Sequence, residues 1–383
     1  METTILTYKI FDSVAQLPNN WNDLAVGNIF LSSSYFEVLE KSAPKNMTCH
    51  YIGLYKNEKL EGIALTQMLT LTDVSSFGVN KSCIKSKLRD FVFKTFAEHV
   101  LFVGNNMLTG QNAFIFSNQI TTTEALSTLK KAVIQLKKDL KRQKTKIHIT
   151  SFKDFTIEGS KDFEIESFKK YYLFTTQPNM VFLNQPEWES ENDYVNALSK
   201  KYRDHYKRAR KKSEMVTKRQ MDLEEINFYN DKINELYFNV TKNAPFNTFY
   251  LAENHFPTFK QLLGDKFLFY GYFIEDKLIG FNTMIINGCA LDTYFLGYDD
   301  DHQKDKMLYL NMLYDMIGYS ITKKYTKLIF SRTALEIKSS VGAKPIEMFG
   351  YVKHSNKFIN LFMGKLFQYF DPKVTWIERN PFK

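Results

Sequence analysis

The chain has no long apolar run: nowhere do its 383 residues reach the ~18 uninterrupted apolar residues that a membrane span needs. Cysteine is scarce. Cys49, Cys83 and Cys289 are odd in number and far apart, so they suit a reducing compartment rather than a disulfide framework, and their spacing fits no zinc motif. The seven histidines stand singly, and no metal is expected. The N-terminal segment METTILTYKIFDS lacks the basic stretch, apolar run and small-residue cleavage site of a secretory signal. The sequons at Asn46 and Asn239 therefore carry no weight, and a cytoplasmic location is expected.

Aromatic residues are abundant. The chain is 44% hydrophobic and 15% aromatic, with 34 Phe and 22 Tyr, which excludes a disordered composition and supplies ample core. Its length suits two domains of ordinary size. A net charge of +9 favours anionic partners: a phosphorylated co-substrate, a nucleic acid or an acidic membrane face.

Internal similarity divides the chain. YIGLYKNEKLEGIALTQM from Tyr51 aligns without gaps on FYGYFIEDKLIGFNTMII from Phe269, at an offset of 218. Gly53, Lys59, Leu60 and Gly62 fall on Gly271, Lys277, Leu278 and Gly280. Each copy reads as strand, polar turn and second strand, a β-hairpin. A helical segment, Glu124 to Lys141, precedes the strand KIHIT, and its counterpart, Met307 to Lys323, precedes KLIFS. Between the copies, Tyr194 to Arg219 lacks Pro and Gly and is expected to be a strongly basic helix. We place the boundary near Met180, giving domains 1–180 and 181–383.

The second half orders helix, hairpin, the strand FLGYDDD, helix, KLIFSRT, a short helix, Gly342 and KPIEMFGYVK. That order resembles the GNAT superfamily of acyl-CoA N-acyltransferases. The tandem arrangement, with SKKYRDHYKRARK opening the second copy, is similar to the Fem-type aminoacyltransferases. The resemblance implies an α/β (α+β) fold of two tandem GNAT-like domains, each a mixed, mostly antiparallel sheet flanked by helices. It covers nearly the whole chain, most clearly Tyr194 to Lys353. GNAT enzymes carry a Gly-rich pyrophosphate loop after their fourth strand, whereas YDDDHQKDKMLYL has no glycine after Gly297. Lys304, Lys306 and the amides near Met307 could still hold a phosphate, against the repulsion of Asp299, Asp300 and Asp301. GNAT enzymes often place a tyrosine four residues before the glycine that ends the short helix. Here Lys338 stands four before Gly342, which resembles the Fem-type pattern.

An amine attacking an acyl ester or thioester builds an oxyanion, and the strongest help is a preorganised cation or N–H where that charge grows. Lys338 on its short helix and Arg332 at the strand end read as an anion-handling pair, Arg332 able to grip a carboxylate or phosphate. The plainer reading makes Arg332 a cap and Lys338 a solvated residue. Asp292 sits in an otherwise apolar strand, where burial would raise its pKa toward that of a usable base, with Tyr294 and Tyr298 as a relay. Tyr309 joins Lys306 as a candidate substrate or cofactor contact, the alternative being core packing. From Lys200 to Arg219 ten Lys or Arg face two acids, a phosphate or nucleic-acid surface or simply a solvated face. Phe358, Ile359, Phe362, Leu366 and Phe370 at helical spacing are expected in the core, with peripheral membrane contact as the alternative.

These readings predict an N-acyltransferase whose second domain carries the cleft. No cofactor is bound permanently; acyl-CoA is the expected co-substrate, and a small-molecule amine the acceptor. A Fem-type reaction using aminoacyl-tRNA and a non-catalytic binding protein are the alternatives. The first half carries no comparable Arg/Lys pairing after KIHIT and is expected to be a scaffold or acceptor-binding partner.

Overall fold

The computed structural model describes residues 6–71, 96–243, 247–365 and 376–383. Cys83, Leu366 and Phe370 lie outside them. In chain order the strands are β1 (Thr7–Phe11), β2 (Met47–Lys56), β3 (Lys59–Thr70), β4 (His99–Val103), β5 (Phe114–Phe116), β6 (Ile149–Phe155) and β7 (Tyr172–Leu183). β8 (Thr217–Gln220), β9 (Phe267–Ile274), β10 (Lys277–Asn287), β11 (Ala290–Tyr298), β12 (Lys327–Ser331) and β13 (Lys344–His354) follow. The described residues form two compact units. One draws on Met1–Thr176, Pro245–Ala252 and Glu347–Lys373, the other on Gln177–Ala244, Glu253–Ile346 and Val374–Lys383.

In the first unit the strands run in the order β1-β2-β3-β4-β6-β13. Only β4 and β6 pair in parallel; the other neighbours are antiparallel. The helix Thr122–Arg142 begins at a capping box of Thr121 and Glu124, which satisfies two of the N–H groups a helix start leaves open. Its buried stripe of Leu126, Leu129, Val133, Leu136 and Leu140 packs into a core with Ile52, Leu101, Phe152 and Phe163, the 3.6-residue periodicity read from the sequence.

In the second unit the C-terminal part of β7 is followed by β12-β11-β10-β9-β8. β11 and β12 are parallel and the remainder antiparallel. The helix Leu308–Thr322 covers one face, and its Leu308, Met312, Leu313 and Ile317 share a core with Leu268, Tyr272, Leu291 and Leu328. The helices Asn230–Thr241 and His255–Leu263 pack on β10 and β11 through Phe256 against Phe281 and Tyr237 against Phe295.

The two hairpins at the offset of 218 share more than sequence. Both close with two-residue turns, Asn57-Glu58 and Glu275-Asp276, at left-handed φ of 48° and 63° in the first and 52° at Glu275 in the second. Both slip register at the same place, between Leu54↔Gly62 and Tyr55↔Leu60, and between Tyr272↔Gly280 and Phe273↔Leu278.

Two expectations are corrected. The basic segment is not one helix: it breaks into Glu191–Ala197 and Lys200–Lys212, and Thr217–Gln220 is the edge strand β8 on β9. Leu198 forms a bridge to Phe382 at the break, a long-range pairing that helical propensity cannot foresee. Toward the other end of the chain, Phe358 and Phe362 are 78% and 55% exposed rather than core residues, on and just after the helix Lys357–Leu361.

Candidate functional site

β11 and β12 pair through Ala290↔Lys327, Leu291↔Leu328 and Asp292↔Ile329, and no further. Beyond that point β11 stays on β10 as far as Gly280↔Tyr298, while β12 stays on β7. The strands therefore part after Asp292. The cause on one side is an extra residue in β11: pairing steps from Met284↔Thr293 to Asn282↔Leu296, two residues against three. Such a bulge bends its strand, and the Thr283 hydroxyl fixes this one by donating to the Phe295 carbonyl at 2.6 Å. On the other side Ser331, Thr333 and Ala334 adopt left-handed φ of 60°, 66° and 48°, turning β12 sharply into the helix Leu335–Ser340. Gly342 ends that turn at φ 104°, where a Cβ would lie 2.6 Å from the Phe382 ring. Only glycine fits.

Lys338 is buried on the inner face of this short helix, 5% exposed. Its Nζ donates to the carbonyls of Phe330 and Arg332, each at 2.6 Å, and Ser331 at 3.4 Å. The left-handed residues are what curl three successive carbonyls around one ammonium. Burial pushes the Lys338 pKa down to about 7, while the carbonyl dipoles favour the charged form. Arg332, beside it, is half-buried, and burial lowers its guanidinium to about 10.

Asp292, at the fork itself, is 2% exposed. Asn287 Nδ2 donates to Oδ2 at 3.4 Å. Burial raises the carboxyl to about 7 and outweighs the opposing effects of Asn287 and Lys327. Two residues on, in the bulge, the Tyr294 hydroxyl lies 3.0 Å from His255 Nε2, and Tyr294 packs on the rings of His255 and Phe259. His255 is fully buried. It was invisible in the sequence: a lone histidine at the start of an apolar helix carries no spacing that links it to β11.

The other sequence candidates lie beyond the fork. Tyr298 at the end of β11 and Tyr309 in the next helix have ring centroids 6.3 Å apart, and burial raises both phenols. Lys306 ends the helix Asp300–Lys306 and pairs with Asp305 at 3.1 Å. Asp299 accepts from the Asp301 N–H at 3.0 Å, and Asp300 meets Lys242 at 3.0 Å.

One cation of the basic helix is structural. Arg210 donates to Asp315 Oδ1 at 2.7 Å and to Glu191 Oε1, and its guanidinium lies over the Tyr206 and Tyr314 rings. The two carboxylates outweigh burial and raise its pKa. Tyr272 completes the network with a 2.8 Å bond to Asp315 Oδ2. Neither a metal-binding cluster of His, Cys, Asp and Glu nor a helix long and apolar enough to cross a membrane occurs among the described residues.

No family model matches the sequence, and no curated protein matches it. Solved structures are similar. A FemX crystal structure superposes with a TM-score of 0.50 at 11% identity, over 88% of this chain and 93% of that one. A tandem GNAT protein from the clavulanic acid biosynthesis pathway, solved without AcCoA, also gives 0.50 at 8% identity, over 92% of this chain and 99% of that one. The parted parallel strands, the duplicated hairpin register and these two likenesses agree: the chain has the tandem GNAT fold, the fold of Fem-like and GNAT acyltransferases.

Proposed function

We propose that the chain is an N-acyltransferase that moves an acyl group from an acyl-CoA thioester to an amine, in the fork between β11 and β12. The observation that carries this reading is the position of Asp292: a buried carboxyl with a pKa of about 7 at the last paired residue before two parallel strands separate. Past the fork no described residue pairs with β11 on its β12 side, so an extended acyl donor can lie along it as an added strand.

The amine nitrogen attacks the thioester carbonyl. A C–N bond forms, the C–S bond breaks, and the attacking nitrogen gives up a proton as the thiolate leaves. Asp292, part-ionised near neutral pH, accepts that proton. Tyr294, oriented by His255, returns one to the thiolate. Lys338 has its N–H groups engaged by carbonyls, so its protonated form is held in place as a positive charge and braces the strand end open. Arg332 grips a substrate carboxylate or phosphate. Tyr298, Lys306 and Tyr309, farther along, contact the rest of the donor.

The test is release of free thiol when acyl-CoAs are mixed with a panel of amines, repeated with Asp292→Asn. Turnover lost in the variant supports the reading. A competing donor, aminoacyl-tRNA, draws support from the exposed cations of the Lys200–Lys212 helix; transfer from that donor, with no thioester turnover, would replace acyl-CoA.

A further inference from the structure

The helix Lys200–Lys212 presents two different faces. Arg210 pins one to Glu191 and Asp315. On the other, Lys201, His205 and Arg208 stand four and three residues apart, one stripe over two turns. This stripe forms a wall of a groove of about 820 Å³, whose opposite side carries Glu336 and Ile337 of the short helix together with Arg379.

The charges of the groove are unevenly matched. Arg379 donates to Glu336 Oε1 through Nε at 3.0 Å and also through Nη2, so that carboxylate is already engaged. Lys201 and Arg208 are exposed and make no ion pair among the described residues; Asp204 is the remaining acid of the lining. His205 is held below its ordinary pKa by burial first, then by Arg208 and Lys201. Lys201 lies over the Tyr202 ring, 5.5 Å from its centroid, and Tyr202 and Ile337 give the groove an apolar surface beside its cations.

We propose that this groove binds a phosphate ester, with Lys201 and Arg208 on the phosphate oxygens and Tyr202 and Ile337 against the body of the ester. Two cations on a pinned helix suit an anion with several acceptor oxygens, and the Tyr202 ring with the Ile337 side chain suits an apolar ring. The assignment is independent of the acyl-transfer reading, since it gives no role to Asp292, Tyr294, Arg332 or Lys338.

The groups that face His205 are Lys201, Asp204 and Arg208 on its own helix and Glu336 and Arg379 across the groove. A bound dianion beside His205 offsets the two cations and favours its charged form, so its titration is expected to move upward on binding. The experiment titrates the full chain with phenyl phosphate and, as a ringless probe, inorganic pyrophosphate, by calorimetry, and follows His205 by NMR. Saturable phenyl phosphate binding is expected. It should weaken about tenfold in Lys201→Gln or Arg208→Gln, both exposed positions, with unchanged melting temperature and an upward move of the His205 titration in the loaded wild type. Absence of saturation, wild-type binding in both variants or an unmoved His205 would overturn the proposal. So would binding of a single-stranded oligonucleotide without binding of phenyl phosphate, which would assign the helix to nucleic acid.

Discussion

Among the described residues each unit contains one pair of parallel strands that part, and a lysine stands at both partings, but it does opposite things. In the first unit β4 and β6 pair as far as Val103↔Phe152. The next residue, Lys153, reaches Asn105 just beyond the end of β4, donating to its carbonyl at 2.8 Å, and bonds the Asp154 carboxylate as well. Lys153 and Asp154 are both buried, at 6% and 1% exposure. Asn105 in turn donates to the Tyr35 hydroxyl at 2.7 Å. This lysine ties one strand exit to the other. In the second unit the Lys338 ammonium bonds, among the described residues, carbonyls of its own strand exit and none on the opposite edge of the fork. One topology thus yields a stitched parting and a braced one, and the difference lies in whether the cation crosses the gap.

The sharpest way to test the braced fork is Asp292→Asn, which should lower acyl transfer about 10²- to 10⁴-fold while the fold survives. The same change should stabilise the protein. A carboxyl raised to about 7 in the folded state keeps its proton between about pH 4 and 7, where the unfolded chain has released it. Rising pH therefore works against folding across that window, and the full penalty stands above it. Asparagine has no proton to lose, so urea melts above pH 7 should show a gain of up to ~4 kcal/mol that vanishes near pH 4. Equal activity in the variant, or a loss of stability at pH 8, would remove Asp292 from the chemistry.

Next in size, Lys153→Met should destabilise by about 3–5 kcal/mol, because it leaves the buried Asp154 carboxylate without that ammonium. Adding Asp154→Asn should recover part of the loss. If the single variant melts like the wild type, the stitch is not holding the first fork.

Lys338→Met should cost about 3 kcal/mol by stranding buried carbonyls, and it should lower kcat with little change in KM, the pattern of a lost transition-state charge. An unchanged kcat at full occupancy would leave the lysine a brace and nothing more.

The smallest effect tests the route of the chain over Lys153. Gly104 has φ 131°, and a Cβ there would lie 3.1 Å from Lys153 Cγ. Gly104→Ala should therefore cost about 1–3 kcal/mol, read as a shift in the urea midpoint, and the cost should shrink in the Lys153→Met background. Strict additivity would show that the stitch and the strand exit are uncoupled.

Much of the fold was legible. The duplicated hairpins, the helices near 124–141 and 307–323, the strand KLIFS and the short helix before Gly342 follow from periodicity and turn residues. The first fork was not foreseen: only the last two residues of KIHIT belong to β6, which continues to Phe155, and no Arg/Lys pairing after KIHIT draws the eye to Lys153. At the second fork, Asp292, Tyr294, Arg332 and Lys338 were singled out by residue type and position, but nothing in their spacing revealed the partners they would meet.

The sequence alone determined where chain segments turn, which faces are apolar and where titratable residues interrupt them, because these depend on neighbours a few residues away. Tertiary structure decided which strand pairs separate, that three carbonyls close on Lys338, and that His255 meets Tyr294 from 39 residues away. Such contacts depend on register and on a single bulged residue, which shift a side chain by a whole position without altering any local pattern.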